Sequence, residues 1–132
     1  MDIKFGYTIV YVEDVPKILD FYGRAFGFAT KFMHEGNDYG ELDTGNTIIG
    51  FANHNLGKMN LPEGYISANS NQPLGIELVL VTTKVQEVLE NAIQAGAQKV
   101  QPLILKPWGQ KVAYVRDPAG TLIELCSPMT EN

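Results

Sequence analysis

"YTIVYVEDVPKILDFYGRAFG" (Tyr7–Gly27) has a second copy, "ELVLVTTKVQEVLENAIQAGA" (Glu77–Ala97), seventy positions later. Each copy opens on a strand-like alternation and passes a capping residue, Asp14 or Thr83, before a helical stretch. The apolar helical positions coincide: Val15, Ile18, Leu19 and Tyr22 against Val85, Val88, Leu89 and Ala92. That is the i, i+3, i+4, i+7 spacing of one buried helical face. Pro16 falls in the first helical turn, where its missing N–H costs little.

The halves also end alike. "LDTGNTIIGFA" from Leu42 matches "RDPAGTLIELC" from Arg116 at an offset of seventy-four. Each reads as two strands joined by a tight turn, with Asp43 and Asp117 bonding their own turns. The expected architecture is therefore α+β, one domain of paired β-α-β-β-β modules over about 2–54 and 74–128. A Gly-, Asn-, Ser- and Pro-rich linker, 55–73, joins them as a lid or as an ordinary surface crossover.

Composition narrows the function classes. A chain of 132 residues with 45% hydrophobic residues suits one packed domain. Its net charge of -5 argues against nucleic acid, because no basic run could neutralise phosphates. One cysteine, Cys126, makes neither an internal disulfide nor a thiolate zinc cluster, and reads as a small buried apolar residue. No apolar run approaches the roughly 20 residues of a membrane span, and the N-terminus lacks a signal-peptide pattern. The expected location is cytoplasmic.

Strand alternation then sorts side chains by face. In "IELVLV", Glu77, Val79 and Val81 form one set; in "TLIELC", Leu122, Glu124 and Cys126 do. Carboxylates in apolar strands are costly unless partnered, so these sets are placed on the face away from the helix. The repeat puts Tyr7 at the place of Glu77 and Gly50 at the place of Glu124, and the hairpin puts Tyr114 on the face of Glu124. A polar centre in an aliphatic and aromatic hollow is the usual character of a small-molecule site. Glu124 could be a metal ligand, a catalytic base or a solvated strand end, and Glu77 could pair with Lys106 or Lys111. Trp108 either caps the core or lines a mouth. If close and buried, Glu77 and Glu124 would repel, and one would hold a proton.

With "DFYGRAFGF" (Asp20–Phe28) and "PWGQKVAYVRDPAGTLIEL" (Pro107–Leu125), the duplicated units resemble the vicinal oxygen chelate superfamily of glyoxalases, bleomycin-resistance proteins and extradiol dioxygenases. The resemblance implies curved mixed sheets around a concave cleft. It also implies modules that pair within or between chains, hence a homodimer. In metal-dependent members a divalent ion is held by His or Gln on the first strand, His on its repeat, and Glu on the last strand. Carried over, Glu124 keeps that identity, while Tyr7, Glu77 and Gly50 stand at the other ligand positions. The only histidines, His34 and His54, match none of them and read as exposed or structurally satisfied. No cofactor is therefore expected. If a metal binds, it is a hard ion such as Mg²⁺ or Mn²⁺ on Glu77 and Glu124.

Two functions follow from the resemblance. One is a metal-independent protein like those conferring bleomycin resistance, sequestering an aromatic or cationic ligand among Tyr7, Gly50, Glu77, Trp108, Tyr114 and Glu124. The other is a divalent-metal-dependent glyoxalase-like lyase or dioxygenase, with Glu77 and Glu124 as catalytic groups.

Overall fold

Asp14 starts the first helix as the sequence predicts: its side chain accepts from the Lys17 N–H at 3.1 Å. This α1 (Val15–Phe26) carries Pro16 in its first turn and ends at Gly27, whose φ of 78° suits a residue without Cβ. The second helix of the repeat, α3 (Val85–Ala95), differs. Its N-cap is Lys84, without a side-chain cap, and Thr82 rather than Thr83 accepts the Lys84 N–H. A hydroxyl two residues back satisfies that donor equally well, so the expected role of Thr83 is lost.

The computed structural model describes residues 1–129. Its order is β1 (Tyr7–Val12), α1, β2 (Thr30–Met33), β3 (Tyr39–Leu42), β4 (Ile48–Asn53), α2 (His54–Asn60), β5 (Glu77–Val81), α3, β6 (Gln98–Leu105), β7 (Lys111–Arg116) and β8 (Leu122–Cys126). Two four-stranded mixed sheets result, ordered β1-β4-β3-β2 and β5-β8-β7-β6. In each, the first strand runs parallel to the last and the remaining pairs are antiparallel. Both halves are thus β-α-β-β-β, and the α+β expectation holds. Among the described residues no helix is long and apolar enough to cross a membrane.

The chain divides into two compact units. The first holds residues 1–23 and 27–67; the second holds Arg24–Phe26 and the described residues from Ala68 to Met129. In the first, Leu19 lies over Gly40, where any Cβ would strike its Cδ1 at 2.6 Å, and Tyr22 meets Phe51 with ring centroids 5.2 Å apart. Phe21, Tyr22, Leu42 and Phe51 are fully buried there. In the second, Ala113, Val115, Ile123 and Leu125 are fully buried beneath α3. Each sheet therefore buries one face under its helix, as period-two alternation requires.

The segment 55–73 is not a structureless linker. It begins inside α2, capped by the Asn53 side chain, and returns so that Tyr65 packs on the first sheet. The Tyr65 ring lies 4.8 Å from that of Tyr11 and 5.8 Å from His54, and its hydroxyl meets His54 Nδ1 at 2.7 Å. Buried Gly57 makes room: a Cβ there would collide with the Tyr65 hydroxyl and ring. Glycine to alanine in a helix ordinarily gains about 1 kcal/mol. Here it would push Tyr65 off two rings, each contact worth about 1 kcal/mol, and break a hydrogen bond of similar worth. Gly57→Ala should therefore destabilise the protein by about 1–2 kcal/mol in chemical denaturation, and a stabilised variant would refute this packing.

Candidate functional site

The second sheet brings three of the sequence-predicted residues together. Tyr114 on β7 stands opposite Glu124 on β8, and Val79 on β5 flanks Glu124 from the other side. The Tyr114 hydroxyl donates to Glu124 Oε1 at 2.9 Å. Glu77, one pleat along β5, forms a side-chain hydrogen bond with Glu124, and so does Cys126. Two carboxyl groups share a hydrogen bond only when one is protonated, and the pair titrates as a unit.

Desolvation by neighbouring groups, the hydrogen bond to Glu124 and repulsion from it all push the Glu77 carboxyl above its ordinary value. Tyr114 is pushed up to about 12, by desolvation first and then by Glu124. Burial and Glu124 likewise raise the Cys126 thiol, which disfavours its thiolate. Three side chains thus converge on Glu124: the Glu77 carboxyl, the Tyr114 phenol and the Cys126 thiol. Glu77's partner is this carboxylate, not Lys106 or Lys111. Beside the cluster, Val79 and Val81 are 48% and 62% exposed on the same face, so the polar centre has an open apolar margin.

Of the other sequence-predicted residues, Trp108 belongs to the same unit and Tyr7 and Gly50 to the first. Trp108 sits in the β6–β7 turn, 59% exposed, with its indole N–H donating to Gln110 Oε1 at 2.9 Å; it neither caps the core nor joins the Glu124 cluster. Tyr7 pairs with Ile48 as Glu77 pairs with Leu122, and Ile9 with Gly50 as Val79 with Glu124, so the two ladders match. Gly50 is covered: the Tyr39 hydroxyl lies 2.5 Å from where its Cβ would stand. The Tyr39 hydroxyl also donates to Glu41 Oε2 at 2.6 Å, and desolvation and Glu41 push Tyr39 up.

Glu41 and Tyr39 were not among the residues singled out from sequence. The signal lay in the hairpin length. Leu42 pairs with Ile49 but Arg116 with Leu122, so the first connection is one residue longer. That slip places Glu41 opposite Gly50, where Tyr114 stands opposite Glu124.

The resemblance implies a divalent ion on the last-strand glutamate, and the donor set does not fit the imidazole-containing form of such a centre. His34 Nδ1 is bonded to Asp38 at 2.7 Å and His54 to Tyr65. Among the described residues, no group of three or more His, Cys, Asp and Glu could hold a metal ion. Glu77 and Glu124 remain the carboxylates a hard cation would meet, and it would have to displace the proton between them.

Paired β-α-β-β-β units with this strand order define the glyoxalase/bleomycin-resistance-like fold. The chain belongs to the glyoxalase-like domain family, which matches residues 5–130, within the vicinal oxygen chelate superfamily. A glyoxalase-related enzyme from Fulvimarina pelagi superposes with a TM-score of 0.81 at 20% identity, over 95% of this chain and 88% of that one. A glyoxalase/bleomycin resistance protein/dioxygenase family enzyme from Burkholderia phytofirmans PsJN gives 0.77 at 23%, over 92% and 96%. TioX from Micromonospora sp. ML1 gives 0.66 at 26%, over 93% and 98%. Among curated proteins, none matches the chain.

Proposed function

We propose that this protein binds an aromatic or cationic small molecule on the Glu124 cluster without a metal ion. The observation that carries the reading is the convergence of Tyr114 and Glu77 on one carboxylate beside exposed Val79 and Val81. A ligand N–H or cationic group takes the place of one of these donors on Glu124, while its apolar body covers the valines. The bleomycin-resistance and glyoxalase names borne by proteins of the same fold are compatible with such a ligand. Pairing of two chains as a homodimer belongs to the same reading, and sedimentation showing only monomer at micromolar concentration would remove it.

A thermal-shift panel of cationic aromatic antibiotics, glutathione adducts and catechols, each with and without Mn²⁺, Ni²⁺ and Zn²⁺, tests the function. A ligand present at a hundred times its Kd should stabilise the native state by about 2.7 kcal/mol. The stabilisation should not require metal and should vanish in Glu124→Gln. Stabilisation seen only with a divalent ion would instead support the metal-dependent enzyme.

A further inference from the structure

The first sheet carries a polar row of its own around Gly50, built on Phe32, Tyr39 and Glu41, which are neither among the carried-over ligand positions nor part of the Glu124 cluster. Reading across the strands on the face away from Leu19 and Tyr22, Phe32 stands opposite Glu41, Glu41 opposite Gly50, and Gly50 beside Ile9. The corresponding row of the second sheet is Gln101, Tyr114, Glu124, Val79. The carboxylate has moved one strand over, from β4 to β3, and an aromatic ring has taken the place of the outer polar residue.

Three features make this row a built arrangement. Gly50 has no side chain, and the space is filled by Tyr39, whose hydroxyl orients the Glu41 carboxylate from 2.6 Å. Phe32 and Tyr39 flank the carboxylate with ring centroids 6.4 Å apart at 51°. Phe32 is 47% exposed and Tyr7, on the same face, 52% exposed, so the rings are open to a ligand. A half-buried carboxylate among aromatic rings favours one chemical class, an organic cation. Its charge is met by the carboxylate and its greasy surface by the ring faces. An anion would be repelled by Glu41, and a neutral apolar ligand would leave its charge uncompensated.

We propose that the Phe32–Tyr39–Glu41 row of the first sheet is a binding site for a quaternary or substituted ammonium group. The site stands on a different unit from the Glu124 cluster.

Choline and its neutral isostere 3,3-dimethylbutan-1-ol separate charge from shape. In ¹H–¹⁵N NMR titrations of the full chain, choline should give saturable shifts at the amides of Phe32, Glu41 and Gly50, and the alcohol should not. Glu41→Gln should weaken choline at least tenfold and Phe32→Ala several-fold. Both positions lie on the unburied face, and an unchanged fold is read from the remaining amide pattern of each variant. In Glu124→Gln the choline shifts at Phe32, Glu41 and Gly50 should persist. Absence of saturable shifts at millimolar choline, an equal response to the alcohol, undiminished binding by Glu41→Gln, or shifts confined to residues around Glu124 would each overturn the proposal.

Discussion

Arg116→Ala should lower the melting temperature by about 10 °C, the largest single-residue loss expected outside the apolar core. Arg116 ends β7 and is only 8% exposed. Its Nε donates to the Gly120 carbonyl at 2.9 Å, Nη1 to Asn71 at 3.3 Å, and Nη2 to Ala68 at 3.0 Å and Ser70 at 2.7 Å. One guanidinium thus ties residues 68–71 to the β7–β8 hairpin. Hydrogen bonds from a charged donor are worth about 1.5–3 kcal/mol each, and removing this donor strands several carbonyls at once. Exposed Asn71 can be rehydrated, so the net cost is about 3 kcal/mol rather than the sum. Lysine cannot reproduce the planar fork, so Arg116→Lys should recover less than half the loss. Gly120 belongs to the same device. Its φ is 97°, and a Cβ would collide with the Ala68 carbonyl. Thermal denaturation by circular dichroism reads these effects, and an Arg116→Ala protein melting within 2–3 °C of wild type would show that the segment is held by something else.

The second large effect concerns ligand affinity and pH. Glu77 holds a proton above the usual carboxyl range because neighbouring groups desolvate its carboxyl and it shares a hydrogen bond with Glu124. A cation arriving at Glu124 competes with that proton. Binding of a cationic ligand should therefore release up to one proton. Affinity should rise with pH, by up to about tenfold per unit while Glu77 is still protonated, then level off. Calorimetric titrations in buffers of different ionisation enthalpy read the proton directly. In Glu77→Gln the proton release and the pH dependence should both disappear. The linked stability effect has the opposite sign. A carboxyl raised in the folded state stabilises most below its unfolded value, and that contribution is lost as pH rises through the folded value. Glu77 is exposed to solvent, so this loss is small, and binding is the more sensitive readout.

The sequence discloses those parts of the molecule that rest on periodicity. Val15, Ile18, Leu19 and Tyr22 repeat as Val85, Val88, Leu89 and Ala92, and a 3.6-residue spacing has one structural meaning. Strand parity likewise put Glu77, Tyr114 and Glu124 on one face, because a side chain's face depends only on whether its number is odd or even along the strand. Asp117 could be assigned to its turn, and it accepts from the Ala119 and Thr121 N–H groups. What escaped depends on events outside any repeat. One extra residue in the first hairpin moved Glu41 opposite Gly50. Helix α2 was hidden because "HNLGKMN" (His54–Asn60) carries Gly57 and two asparagines, poor helix formers that tertiary packing overrides. Arg116 gave no sign of its role, since its partners are backbone carbonyls up to forty-eight positions away and backbone has no sequence signature. Gln110, which takes the Trp108 indole N–H two residues on, gave no sequence signal of that role.

Glu77 and Tyr114 converge on Glu124, and side-chain carboxyl ¹³C NMR of Glu77 as a function of pH reads that convergence. The Glu77 resonance should titrate above the ordinary carboxyl range in the native protein, and Glu124→Gln should lower its midpoint. A Glu77 midpoint at the ordinary carboxyl value, unaffected by that substitution, would refute the convergence.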